Sequence, residues 1–270
     1  MPKHNIKTAI YWLRDDLRLH DNETLDRAIM ENDLVIPIFC IDPRQFRLLE
    51  LGFHKTGVKR FNFLIECLAD LRKSLQQIGG ELLVRTGNPE EIITGLANIY
   101  GVDKVYAQAE IASEETTVEN TLSVELKKIG CELELVWGKT MYHRDDLPFG
   151  PEEIPLTSKA FRINASKKAG VRDLISAPTS ISVPQGITWG EFPVPADVGL
   201  DPSSELHIDS LLEGGESLAL ARLEYYTFET NLVEKYKWTR NKSLGFDHSS
   251  KFSAWMARCC LSPRMIYHTV

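Results

Sequence analysis

The sequence has few cysteines and no long apolar run. Its 270 residues include five cysteines, and none of them stands in a CxxC pair or near a histidine at a metal-binding spacing. We therefore expect buried thiols in a reducing, cytoplasmic environment, and no bound metal. No hydrophobic stretch reaches the length of a membrane-spanning helix, and the N-terminus lacks the pattern of a signal peptide. These absences favour a soluble protein without a membrane partner.

The common nucleotide-binding motifs are also missing. No GxGxxG follows the first strand-like run, and no P-loop lysine-serine or lysine-threonine pair is present, so the usual dinucleotide and ATP sites lack support. The net charge is -7. An acidic chain is poorly suited to non-specific wrapping of nucleic acid, because contact with phosphates is largely electrostatic. Any contact with DNA must therefore be local.

The first half of the chain alternates β-rich runs with helical patterns. Strands are predicted at residues 8–13, 34–41, 81–85, 104–108 and 132–137. Helices are predicted at residues 22–30, 56–78 and 113–128, and another begins after Asn88, where Pro89 and two glutamates favour a helix start. Strict alternation of this kind predicts an α/β fold with a five-stranded, doubly wound parallel sheet. Ligands of such sheets bind at the carboxyl ends of the strands.

The middle of the chain is rich in proline. Eight of the thirteen prolines lie between Pro148 and Pro202, which predicts an extended connector with one helix at 158–168 and marks a domain boundary. A helical region follows from Gly214. Ser262 and Pro263 suit the N-cap and first position of a further helix.

A basic segment near the end stands out from this acidic background. Residues 235–264 carry a net charge of +6, and the other 240 residues carry -13. Inside the segment, Ser249 to Ser253 bring three hydroxyls and one ammonium together ahead of an apolar run. Such donors at a helix start can bind an anion. The residue pattern alone favours the simpler alternative, a serine N-cap beside a solvated basic face.

The order of residues in this segment resembles the start of the flavin-binding domain of the photolyase/cryptochrome family, and its DASH branch in particular. Residues 236–241 (YKWTRN), 248–257 (HSSKFSAWMA) and 260–264 (CLSPR) carry the resemblance. Residues 11–22 and 138–149 likewise resemble the beginning and the end of the family's α/β domain. Two departures are visible: Ala254 stands where the family usually has proline, and Cys259 where it usually has glycine.

The resemblance implies a domain organisation and a cofactor. It implies an α/β domain at 7–147, an interdomain linker at 148–210 and the beginning of an all-helical FAD-binding domain at 211–270. It also implies that FAD is held by Tyr236, Ser249, Ser250, Lys251, Phe252 and Ser253. The family's helical domain continues far beyond this length, so we interpret the chain as truncated or fragmentary. No residue is assigned as a catalytic acid, base or nucleophile.

A second chromophore is implied by the same resemblance. DASH members commonly carry methenyltetrahydrofolate as an antenna, and an acidic residue after the fourth strand contacts its pterin. That residue corresponds to Glu114 here. A carboxylate can accept hydrogen bonds from a pterin amino edge. Ser113 followed by two glutamates is equally a normal helix start, so both interpretations stay open.

The function implied by the resemblance is that of a monomeric blue-light flavoprotein. In the full-length form, reduced FAD would transfer an electron to cyclobutane pyrimidine dimers in DNA, preferentially single-stranded DNA, as a photolyase-type lyase does. A regulatory light sensor without repair activity is an alternative. A truncated folate- or nucleotide-binding α/β remnant is another.

Overall fold

The computed structural model describes residues 6–202, 212–242 and 245–270. The strands are β1 (Thr8–Leu13), β2 (Leu34–Ile41), β3 (Leu83–Thr86), β4 (Lys104–Gln108) and β5 (Glu132–Val136). The helices are α1 (Glu23–Glu31), α2 (Val58–Gln77), α3 (Pro89–Tyr100), α4 (Ser113–Lys128), α5 (Ser158–Lys168), α6 (Glu216–Glu224), α7 (Leu232–Thr239), α8 (Ser253–Ala257) and α9 (Pro263–Thr269). A π-helical turn, Tyr225–Glu229, extends α6.

The five strands form one parallel sheet in the order β3-β2-β1-β4-β5. In its central strand, Ile10 lies opposite Ile36 of β2 and Val105 of β4. Helices pack on both faces, and the predicted α/β fold is confirmed. The strand order reverses between β1 and β4, and this is where a doubly wound sheet opens a crevice at its carboxyl edge.

The two faces of the sheet belong to two separate hydrophobic cores. In β1, Ala9, Tyr11 and Leu13 pack into one core, whereas Ile10 and Trp12 pack into the other. This explains why the strands are apolar on both faces rather than alternating with polar residues.

The first core continues into the C-terminal helical region. Residues of α2 share it with residues from α6 onward: Leu223, Tyr226, Phe252, Trp255, Cys260 and Leu261. All six are buried. The helical region is therefore packed onto the α/β domain through a continuous apolar surface, with α2 between them.

The proline-rich connector lies against the sheet and α2. Val35 of β2 donates its backbone N–H to the Ser182 carbonyl at 2.9 Å, and Val84 of β3 donates to the Trp189 carbonyl at 3.0 Å. The side chain of Ile181 is buried in the first core. The predicted helix at 158–168 is confirmed as α5. The boundary at 210/211 lies outside the described residues, so the division into domains stays a prediction.

Helix starts follow the expected capping chemistry in two cases. The Asn22 side chain accepts from the Leu25 N–H at 3.1 Å, and the Ser262 hydroxyl accepts from the Arg264 N–H at 3.2 Å. The start of α8 differs, because Phe252 occupies its N-cap position and no side chain caps it. Among the described residues, no helix combines the length and the apolar character needed to cross a membrane.

Candidate functional site

The turn after β1 is held by a buried polar network. The Tyr11 hydroxyl donates to Asp16 at 2.6 Å, and the Asn22 amide donates to the Tyr11 oxygen at 2.8 Å. Burial raises the pKa of the Asp16 carboxyl and, more strongly, that of the Tyr11 phenol. Because each polar group has a partner, the network fixes the course of residues 14–22.

The same turn binds the C-terminal region through a buried ion pair. Arg264 reaches the two carboxylate oxygens of Asp21 at 2.6 and 3.0 Å, and the Ser262 hydroxyl donates to the same carboxylate. Asp21 is fully buried and has a left-handed backbone with φ of 54°. Arg18 adds a bond to the Cys259 carbonyl at 2.9 Å. Through Asp21 and Arg18, the turn after β1 therefore attaches the α/β domain to residues 259–264.

A second fastening runs through Glu216 at the start of α6. Its carboxylate accepts from the backbone N–H groups of Leu19 and His20 at 2.8 and 3.0 Å, and from the His20 ring at 3.0 Å. The hydrogen bond from Glu216 raises the pKa of His20. Because Glu216 is buried, these bonds position α6 against the turn after β1.

The serine segment 249–253 approaches α8 in an irregular conformation. Ser249 is extended, with φ of -146° and ψ of 165°, and Lys251 is left-handed, with φ of 64°. Ser249, Ser250 and Lys251 are half-buried and Ser253 is exposed. Since α8 has only five residues, its helix dipole offers little to an anion. Any anion site here must depend on side chains and loop backbone.

The remaining residues assigned to the segment take two different positions. Phe252 is buried and presents its ring edge to Tyr226, with ring centroids 5.9 Å apart. Tyr236 is partly exposed on α7, and α7 packs against the turn 246–248 that precedes the serines. Burial is the main cause that raises the pKa of Tyr226, and the neighbouring Tyr236 adds to it. Phe252 therefore lies in the core, and Tyr236 lies on the helix that packs against the turn leading into the serines.

Arg222 of α6 organises the backbone of this segment. Its guanidinium donates to the carbonyls of Ser250, Ser249 and Phe246 at 3.1, 3.2 and 3.3 Å, and pairs with Asp247 at 2.9 Å. The guanidinium carbon lies 4.5 Å from the centre of the Phe246 ring, within the range of a cation–π contact. Arg222 is buried, so this one side chain holds the whole turn from within.

The polar side chains of residues 249–253 are available to bind a ligand. Within the described residues, the hydroxyls of Ser249 and Ser253 and the ammonium of Lys251 have no hydrogen-bond or ion-pair partner. The Ser250 hydroxyl only accepts a long bond from Phe252 N–H, at 3.5 Å. Hydroxyl and ammonium donors of this kind suit phosphate oxygens. This donor set fits the diphosphate of a dinucleotide cofactor such as FAD.

A separate cavity of about 230 Å³ lies at the carboxyl ends of β1 and β2. Its wall is partly aromatic, with Trp12 and Phe39, and partly charged, with Glu110, Glu115, two aspartates and three arginines. One carboxylate oxygen of each glutamate is buried without a hydrogen-bond partner among the described residues. Burial raises the pKa of Glu110, although its contact with Lys139 opposes this. A cavity of mixed aromatic and charged lining, with buried acceptor atoms that lack a donor, is typical of a ligand site.

Glu114 lies outside this cavity. It is exposed and pairs with Lys55, which lowers the pKa of the Glu114 carboxyl. A helix does start here, with Glu114 and Glu115 in the first turn of α4, but Ala112 rather than Ser113 occupies its N-cap position and no side chain caps it. The family assignment of Glu114 to the pterin stays a prediction, and the glutamates that line the cavity are its neighbours Glu110 and Glu115.

Other sequence expectations concern metals and thiols. Within residues 6–202, 212–242 and 245–270, no cluster of three potential metal ligands occurs. All five cysteines are buried free thiols. Sequence analysis missed Arg222, Glu110 and Glu115. The one available signal for Arg222 was a cation within a largely apolar helical stretch, three residues before a pair of tyrosines.

Comparison with known proteins points to one family. Residues 9–179 match the model of the family described as DNA photolyase. The chain is 43% identical over 265 residues to "Cryptochrome DASH" of Gloeobacter violaceus, covering 98% of this chain and 53% of that protein. It is 42% identical to "Cryptochrome DASH, chloroplastic/mitochondrial" of Arabidopsis thaliana, covering 97% of this chain and 47% of that protein.

A solved structure gives the same result. The cryptochrome of a Synechocystis species superposes with a TM-score of 0.91 at 38% identity, covering 98% of this chain and 55% of that one. The chain therefore spans about half the length of the relatives that it matches. The five-stranded sheet with its flanking helices matches the N-terminal domain of that cryptochrome. The matching family model, the sequence identity and the shared fold show that this chain belongs to the photolyase/cryptochrome family, closest to its DASH branch.

Proposed function

We propose that this chain is part of a blue-light flavoprotein and that residues 249–253, with Tyr236, hold the diphosphate of FAD. The observation that supports this most is the set of unpaired donors on a segment whose backbone Arg222 holds in place. When bound, reduced FAD supplies absorption of blue light and the electron that splits a pyrimidine dimer.

Each residue of the segment has a definable part in holding the cofactor. The hydroxyls of Ser249 and Ser253 donate hydrogen bonds to phosphate oxygens, and the Lys251 ammonium balances their charge. Phe252 anchors the segment through its buried ring. Exposed charge contacts are screened by salt and contribute little each. The phosphate end alone therefore gives weak, salt-sensitive binding, and enclosure of the flavin ring must add the rest.

The proposed substrate is DNA that contains cyclobutane pyrimidine dimers, with single-stranded DNA preferred, and the proposed protein is a cytoplasmic monomer. The experiment is illumination of the flavin-loaded protein with dimer-containing single-stranded and duplex oligonucleotides, followed by chromatographic counting of restored pyrimidines. Repair of the single strand supports a lyase. Flavin photochemistry without repair of either substrate instead supports a regulatory light sensor.

We propose further that the cavity at the sheet edge takes methenyltetrahydrofolate as an antenna. The supporting observation is the pair of buried carboxylate oxygens of Glu110 and Glu115 that lack donors, because a pterin amino edge supplies donors of this type. Titration with the folate, followed by its absorbance, is the test. Glu110→Gln and Glu115→Gln should weaken binding, and a loss confined to Glu114→Gln would restore the family assignment of that residue. Binding of the folate without flavin would indicate an α/β remnant.

A further inference from the structure

We propose that Arg222 is the positioning residue that shapes the flavin-phosphate segment. This inference rests on the proposed function, because it concerns how the same segment becomes able to receive a phosphate. The first element of the argument is the location of Arg222. It lies on α6 with its side chain buried, so its charge faces the inside of the turn rather than solvent or ligand.

The guanidinium binds backbone carbonyl oxygens of the segment that would otherwise repel an anion. It donates hydrogen bonds to three carbonyl oxygens, those of Phe246, Ser249 and Ser250. Carbonyl oxygens carry partial negative charge and repel phosphate when they face it. Since these three are directed at Arg222, the phosphate side is left to hydroxyls and to the Lys251 ammonium.

The same bonds hold a strained residue. Lys251 is left-handed at φ of 64°, a conformation that is unfavourable for a residue with a Cβ. The two carbonyls immediately before it, those of Ser249 and Ser250, are both bound by Arg222. Hydrogen bonds to a buried charge are strong enough to offset the cost of one left-handed residue.

The charge of Arg222 is itself balanced inside the turn. Asp247 pairs with it at 2.9 Å and also accepts from the Tyr225 hydroxyl at 3.2 Å. The rings of Tyr225, Tyr226 and Phe246 lie between 4.5 and 5.3 Å from the guanidinium carbon. A planar fork of five donors fits this arrangement, and a lysine ammonium cannot reach the same carbonyls with fixed geometry.

The test measures hydrogen exchange of amides 246–253 and FAD affinity in Arg222→Lys, Arg222→Gln and the control Arg162→Gln. Arg162 lies on the exposed helix α5, where its guanidinium donates to the Ser158 carbonyl at 3.4 Å. We expect both Arg222 variants to raise exchange in the segment and to lower FAD affinity about tenfold or more. Exchange in α2 should not change, which excludes general unfolding.

A rescue experiment separates positioning from simple loss of packing. In Arg222→Ala, added methylguanidinium should restore protection of the segment and FAD affinity, whereas methylammonium should restore neither. Unchanged exchange in Arg222→Gln overturns the inference. So does raised exchange with unchanged FAD affinity, provided that Ser250→Ala with Lys251→Ala still weakens FAD. If that double variant leaves FAD affinity intact, the proposed phosphate site itself fails, while exchange still reports whether Arg222 holds the turn.

Discussion

Loss of Arg264 should destabilise the protein severely, because it leaves the Asp21 carboxylate buried without its countercharge. Asp21 is fully buried, and Arg264 meets both of its oxygens at 2.6 and 3.0 Å. Removing one partner of a buried ion pair costs about 3–5 kcal/mol. Domains have a total stability of about 5–15 kcal/mol. Arg264→Met should therefore remove a large fraction of the stability.

The assay is unfolding in urea together with thermal melting. In a chain of this size, 1 kcal/mol lowers the melting temperature by about 2–4 °C, so Arg264→Met should lower it by about 6–20 °C. The matched control is Arg27→Met, which breaks contacts to Glu23 and Glu134 on the surface. Exposed pairs contribute about 0–1 kcal/mol, so this variant should melt close to the wild type.

The double variant Asp21→Asn with Arg264→Met isolates the interaction. Asparagine tolerates the left-handed backbone at this position, so the change removes the charge with little added strain. The double variant should be less destabilised than the sum of the single variants, since neither charge is then left alone. A loss below about 1 kcal/mol in Arg264→Met, or strict additivity of the two changes, would refute the claim that this pair fastens the two regions.

Three further predictions concern the same contact region and one helix. The His20 pKa is raised by its bond to Glu216, so its stabilisation is fully present below the unfolded pKa of 6.5 and is lost as pH rises through the folded pKa. The wild type should therefore have a higher melting temperature than His20→Gln at pH 6 and the same melting temperature at pH 9. A difference in melting temperature that does not change with pH would contradict this. Gly214→Ala should destabilise the protein by about 2 kcal/mol or more, because the added Cβ would lie 2.4 Å from a backbone oxygen of α2. Unfolding in urea measures this, and a variant as stable as the wild type would contradict the close packing at Gly214. Gly95→Ala, in open space within α3, should stabilise by about 0.5–1 kcal/mol, and a destabilised variant would contradict the helix assignment.

The fold could be predicted from sequence because its signals are local. The strands at 8–13, 34–41 and 104–108 were read from short apolar runs, and the structure has the same bounds. The cap at Ser262 is decided within two residues. Such signals do not depend on contacts with distant parts of the chain.

The two candidate sites are formed by residues that lie far apart in the sequence. The local residue pattern was therefore insufficient to predict which side chains meet there. Arg222 acts on carbonyls 24 to 28 positions away, and nothing in its neighbours specifies those acceptors. The cavity brings together the ends of β1, β2 and the start of α4, so which of three glutamates faces it was undetermined. The resemblance supplied the serine segment, because the residue pattern alone favoured a helix cap that α8 does not have.

The most direct test of the central claim is the affinity of the protein for FAD, measured by flavin fluorescence at two salt concentrations. The variant Ser250→Ala with Lys251→Ala removes one hydroxyl and one ammonium from the proposed phosphate segment. The control Ser166→Ala with Lys167→Ala removes the same groups from the exposed helix α5. We predict about a tenfold loss of affinity and a weaker salt dependence for the first variant, and wild-type behaviour for the control. Equal affinity of the two variants would contradict the assignment of the flavin phosphates to residues 249–253.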